Sequence, residues 1–167
     1  APFIYERLGE KYRHYFIDEF QDTSVMQWQN LIPLIDNALA GEDAYGNKGT
    51  LMLVGDPKQA IYRWRGGKAE QFIDLAKEID STNPFSNKDK RTERLKTNFR
   101  SYSEVIQFNN DFFKHLAHQF KNEDYKNLYY NLSHQNCNSK TGGYVNLTFI
   151  QEAEDDTEIE GFDADND

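Results

Sequence analysis

LMLVGDPKQAIYRWRGG, Leu51 to Gly67, decides how the rest of the chain is read. Four apolar residues end at a turn that carries an acid, a glutamine, a lysine, two arginines, a tyrosine and a tryptophan. A surface turn has no need of two large aromatics, and a core segment does not hold this many charges. A short apolar run ending at a polar cluster is the pattern of a buried parallel strand in an α/β protein, with helices on both faces. Ligands of such sheets collect at the carboxyl ends of the strands, and the polar cluster lies there. Gly55 permits a sharp turn after the strand and Pro57 fixes it.

The same pattern occurs upstream. Tyr15-Phe16-Ile17 is a second apolar run, and it ends at Asp18-Glu19-Phe20-Gln21-Asp22. An apolar strand ending in Asp-Glu is the Walker B arrangement of nucleotide hydrolases, in which the Asp helps hold Mg²⁺ and the Glu orients and deprotonates water. Adjacent side chains at a strand end point different ways and can divide those tasks. A plainer reading leaves an acidic turn in which Asp22, Thr23 or Ser24 caps the next helix. Gln59 adds a neutral, bidentate side chain at the same rim, suited to contacting a phosphate without adding charge.

Between the two runs, Ser24 and Gln27 have capping-box spacing, and Trp28, Leu31, Ile32, Ile35 and Leu39 follow at helical spacing. Pro33 falls inside that run and predicts a kink or a split. A second helix is expected from about Lys68, with Phe72, Leu75, Ala76 and Ile79 on one face. Arg94 to Phe99 reads as a further strand. The longest helix is expected from a second capping box, Ser101 and Glu104, through Val105, Phe108, Phe112, Leu116 and Phe120. Residues 122–143 read as a long polar loop, and Tyr144 to Ile150 alternates like a half-exposed strand.

The chain has 167 residues and a formal charge of −9, but the acidity is local. Residues 151–167 hold nine of the 28 acids and no Lys or Arg, which leaves 19 acids against 19 basic residues in the body. That tail reads as a solvated, disordered end. The lone cysteine, Cys137, rules out an internal disulfide framework and suits a reducing, cytoplasmic setting. No apolar run approaches the roughly 20 residues that span a bilayer, and the N-terminus has no signal-peptide layout. No membrane partner is expected.

YFIDEFQDTS, LMLVGDPKQAIYRWRGG and LKTNFRS, in that order, resemble motifs II, III and IV of superfamily 1 DNA helicases. The likeness is to the UvrD/Rep branch, including RecB- and AddA-type helicase–nucleases. It covers about Tyr5 to Phe120, with a weaker echo at Gly142 to Ile150. The resemblance implies a RecA-like α/β fold with a parallel sheet and flanking helices, and ATP and Mg²⁺ as cofactors. Asp18 would bind Mg²⁺ and Glu19 would activate water. Gln59 would contact the γ-phosphate, Phe99 would stack on adenine, and Arg100 would reach the γ-phosphate as an arginine finger does. Tyr62, Trp64 and Arg65 would face single-stranded DNA, with Trp64 stacking on a base. Implied partners are single-stranded and duplex DNA, the remaining helicase domains and a nuclease domain or subunit.

GxxxxGK[ST], the phosphate cradle, does not occur in this sequence. Gly41 to Lys48 comes nearest but has Asn47 where Lys belongs. The chain also starts without Met. The resemblance therefore implies an internal fragment, with residues 1–90 ending a first motor domain, 91–150 starting a second, and 151–167 as tail. Such a fragment would not hydrolyse ATP alone. Two other readings compete. A phosphoacceptor receiver domain would also use Asp18-Glu19 and Asp56, but it gives no reason for YRWRGG or NFRS. A helicase-like module without catalysis, kept only for binding, is the other.

Overall fold

Two short strands carry the site, and their alternation explains where the core lies. In the computed structural model, which describes residues 3, 7–8, 11–77 and 82–150, β1 (His14–Ile17) pairs in parallel with β2 (Thr50–Leu53). Tyr15 lies opposite Leu51 and Ile17 opposite Leu53. Side chains alternate across a sheet, so Tyr15, Ile17, Leu51 and Leu53 turn to one face and pack on a core of Phe20, Trp28, Ile35 and Phe85. Burial of the Tyr15 hydroxyl, which has no partner among the described residues, raises its pKa above the ordinary phenol value. The expectation that both faces are covered does not hold among the described residues, where Phe16 is 74% and Met52 50% exposed on the opposite face. The helices over residues 25–40 and 69–76 pack on the face of Tyr15, Ile17, Leu51 and Leu53.

The parallel crossover between the strands is α1 (Val25–Ala40). Its capping box forms as expected: Gln27 N–H donates to Ser24 Oγ at 3.2 Å and Ser24 N–H to Gln27 Oε1 at 2.9 Å. Pro33 neither splits nor ends the helix. The carbonyl its missing N–H leaves free belongs to exposed Gln29, where water can satisfy it. Trp28, Ile35 and Ala38 are buried. Phe20 meets Trp28 and Phe72 edge-on at 4.8 and 5.5 Å, and Trp28 meets Phe85 at 5.8 Å. Burying one such side chain contributes about 1.5–3 kcal/mol. The second expected helix is α2 (Ala69–Ala76); Ile79 lies outside the described residues.

The chain divides into two compact units, Ala1–Arg94 and Leu95–Asp167. In the second, the expected strand over Arg94 to Phe99 is reduced to one parallel bridge, Thr97 to Asn136. Its helix α3 (Ser103–Leu116) is shorter than α1 and lacks the expected capping box. Asn98 Oδ1 takes the Ser101 N–H, while Ser103 and Glu104 N–H donate to Lys140 and Gly142 carbonyls at 3.0 Å each. The helix start is thus satisfied by distant backbone. The expected loop 122–143 begins as α4 (Glu123–Asn127), capped by the Asn122 side chain, and continues into a π-helical turn over Leu128–Leu132. Ring contacts Phe113–Tyr129 and Phe120–Tyr129, at 5.6 and 5.1 Å, hold this segment to its neighbours. Tyr144 to Ile150 forms no strand, and Phe149 and Ile150 are more than nine-tenths exposed. An alternating pattern without a partner strand does not make a sheet. The acidic tail lies outside the described residues. Among those described, no helix is long and apolar enough to cross a membrane.

Candidate active site

Register places the two acidic strand ends side by side. Val54 N–H donates to the Ile17 carbonyl at 2.8 Å, and Phe20 N–H returns a bond to Val54 at 3.0 Å. The chain leaves β1 through Asp18 and Glu19, both exposed. Asp18 Oδ1 accepts the Glu19 N–H at 2.9 Å. Glu19 has φ 50° and ψ 41°, the sole left-handed residue other than glycine among those described. A non-glycine residue held there carries about 1–3 kcal/mol of strain and persists where the surroundings over-determine it.

The surroundings here are Gln21, which sequence reasoning did not single out. It is 1% exposed, the one polar residue in the described core. Its Nε2 donates to Glu19 Oε2 at 2.6 Å, and its Oε1 accepts the Asp56 N–H at 3.0 Å. Asp56 in turn caps the following turn, taking Lys58 N–H at 3.0 Å and Lys58 Nζ at 2.7 Å on Oδ1 and Gln59 Nε2 at 3.2 Å on Oδ2. A Cβ at Gly55 would stand 2.4 Å from Gln21 Oε1, so the Gln21 amide would have to shift to admit one. Four hydrogen-bonded groups, Glu19, Gln21, Asp56 and Gln59, therefore run along one rim.

Beyond the Pro57–Gln59 turn the chain presents its aromatics to solvent. Trp64 is 79% exposed, and its ring lies 6.4 Å from that of Tyr62. The Arg65 guanidinium sits 5.4 Å from the Trp64 ring and 5.8 Å from Tyr62, so one cation serves both faces. Arg63 pairs with Glu70 at 2.6 Å. The loop is pinned where it ends. Gly66 adopts φ 84°, its carbonyl accepts the Val25 N–H at 3.2 Å, and Gly67 bridges to Ser24. The aromatic loop is thereby anchored to the first turn of α1.

Phe99 and Arg100 belong to the second unit, and both are exposed. Asn98 Oδ1 accepts the Arg100 N–H at 2.9 Å, and Lys140 Nζ donates to the Phe99 and Arg100 carbonyls at 2.9 and 3.3 Å. The backbone is fixed while both side chains stay available. As for metal, Mg²⁺ takes one or two carboxylates with the rest of its shell from water and phosphate oxygens. The exposed Asp18 carboxylate fits that donor set. Among the described residues no cluster of three His, Cys, Asp or Glu gathers.

The site is thus two parallel strand ends, one carrying Asp18-Glu19 and the other the Asp56–Gln59 turn, followed by an exposed aromatic–cation loop. Residues 1–80 match the family described as UvrD/REP helicase N-terminal domain. The chain is 40% identical over 116 residues to the exonuclease/helicase subunit RexA of Lactococcus lactis subsp. cremoris, covering 69% of this chain and 8% of that protein. It is 31% identical over 160 residues to an ATP-dependent helicase/nuclease of Clostridium novyi, covering 92% of this chain and 12% of that protein. DNA helicase II of Haemophilus influenzae is 31% identical over 110 residues, covering 66% and 12%. The chain is thus similar to proteins named as DNA helicases and as helicase/nuclease subunits. The chain spans only about a tenth of the length of these relatives.

Proposed function

We propose that this chain is part of an ATP-dependent DNA helicase that couples hydrolysis to movement along single-stranded DNA and to duplex unwinding. The observation that carries the reading is the rim itself: Asp18-Glu19 and Asp56-Gln59 are joined by hydrogen bonds, and the turn after Gln59 leads within five residues to an exposed tryptophan. Residues 1–90 would close a first RecA-like motor domain and residues 91–150 open a second. The whole protein would act in DNA repair or recombination, and the helicase/nuclease names of its relatives support a nuclease domain or subunit beside it.

In this reading Glu19 accepts the proton of the attacking water, and Gln59 contacts the γ-phosphate. Phe99 stacks on adenine, and Arg100 offsets charge on the transferred phosphoryl group. Asp18 would hold Mg²⁺, which would supply charge neutralisation at the phosphate oxygens. Tyr62, Trp64 and Arg65 hold DNA by stacking and charge, contacts that tolerate any base.

ATP turnover by the full polypeptide carrying this chain, measured with and without single-stranded DNA, tests the proposal. DNA should stimulate hydrolysis, and Glu19→Gln should lower the stimulated rate by roughly a hundredfold or more. Equal hydrolysis in both proteins would refute it. The 167-residue chain alone should not turn over ATP, because its sequence has no phosphate cradle.

A further inference from the structure

We infer that Gln21 is a positioning residue that holds the Glu19 carboxylate in register with the Asp56–Gln59 turn, so that water activation and phosphate sensing are aligned through one buried amide. The inference rests on the roles proposed above for Glu19 and Gln59.

Three observations carry it. Gln21 is 1% exposed, and a buried amide without partners is costly, so its bonds are obligatory. Those bonds fix its orientation. The carboxylate of Glu19 can only be met by the Nε2 donor, and the Asp56 N–H can only be met by the Oε1 acceptor. A flipped amide would face two donors together and two acceptors together. Gln21 also bridges the two strand ends at the level where Glu19 holds its left-handed backbone. The 2.6 Å contact to Glu19 Oε2 keeps that strained residue's side chain in place.

Gly55 supplies the third observation. Its φ lies outside the left-handed region, so conformation does not demand glycine there. Space does: an added Cβ would meet Gln21 Oε1 at 2.4 Å, the backbone N of Phe20 at 3.1 Å and Phe72 Cε1 at 3.1 Å. The strand end is kept bare where the Gln21 amide passes. From Gln21 the link continues through Asp56 to Gln59 Nε2 at 3.2 Å. A shift of the Gln59 turn therefore pulls on the amide that aims Glu19.

The test uses steady-state ATP hydrolysis by the full polypeptide on saturating single-stranded DNA, with separate kcat and KM for ATP. Binding of a labelled oligonucleotide without nucleotide is measured in parallel. Gln21→Leu removes donor and acceptor. Gln21→Glu keeps an acceptor for Asp56 but sets a carboxylate against Glu19. Both should lower kcat by about tenfold or more, as a misplaced catalytic group does. KM and DNA affinity should stay within about twofold, since neither ATP nor DNA contacts Gln21 in this scheme. Gly55→Ala, which presses on the amide while leaving residue 21 as Gln, should move kcat the same way and carries the decision if the Gln21 variants do not fold. In a Glu19→Gln background, Gln21→Leu should add no further loss. Unchanged kcat in Gln21→Leu beside an inactive Glu19→Gln would overturn the positioning role alone. A parallel fall of kcat, ATP affinity and DNA affinity would overturn it in favour of a structural amide. Full activity in Glu19→Gln would instead remove the functional reading on which the inference rests.

Discussion

Trp64 stands in solvent at 79% exposure within a molecule whose other tryptophan is 5% exposed. Leaving so large an apolar ring in water is unfavourable, and nothing in the packing of the first unit requires it. Its neighbours suit a stacked base: Tyr62 is tilted beside it and Arg65 is shared between the rings. Replacing Trp64 by Ala should weaken single-stranded DNA binding by the full polypeptide by roughly tenfold to a hundredfold, the equivalent of about 1–3 kcal/mol of base stacking. Fluorescence anisotropy with oligonucleotides of different sequence should show the same loss on each. An unchanged affinity would assign the aromatic loop to protein contacts instead. Glu19 is the other residue whose conformation invites a functional reading, because its left-handed backbone heads the Phe20–Asp22 turn while its carboxylate accepts the buried Gln21 amide.

Among the elements, the hairpin-like link between α1 and β2 has the clearest titration. Asp43 Oδ1 accepts the Tyr45 and Asn47 N–H groups at 2.8 Å each, and Asn47 Nδ2 reaches Oδ2 at 3.1 Å. The Asn47 bonds hold its pKa below the usual Asp value. A lowered folded value means the ionised form stabilises this turn fully above the ordinary Asp range, and that support fades as pH falls through the lowered value. Amide exchange at Asn47, corrected for its intrinsic pH dependence, should therefore accelerate only in acid, and Asp43→Asn should remove the step. An exchange rate flat through the acid range in the native protein would contradict this.

Sequence alone located β1, β2, α1 and its cap because each depends on neighbours a few residues away, whereas the expected strand over 94–99 shrank to one bridge. Asp18-Glu19 and the Gln59 turn were legible for the same reason, sitting directly after apolar runs. Gln21 was not. Its buried Oε1 is met by the Asp56 N–H, 35 positions along, and local composition does not carry that distance. The α3 start and the failed strand over 144–150 erred for a matching reason. Backbone from 140–142 replaced the side-chain cap, and alternation promised an edge that no described strand meets.

At the scale of the whole molecule, the sheet has one covered and one bare face among the described residues. Phe16 and Met52 lie opposite each other there, beside His14 and Thr50. Relatives about ten times longer share this stretch, and contiguous exposed apolar surface marks a site of contact. Purified by itself, the 167-residue chain should self-associate through that face. Size-exclusion chromatography with light scattering should show oligomers that Phe16→Asp returns toward the monomer; a monomer at high concentration without the substitution would count against it. The unequal setting of the two indoles has a spectroscopic consequence as well. Trp28 in the core should emit to the blue and resist iodide, while Trp64 should emit to the red and be quenched by it. One protein thus carries two built-in dyes, the first reading whether the fold is intact and the second whether the loop is occupied, with no label attached.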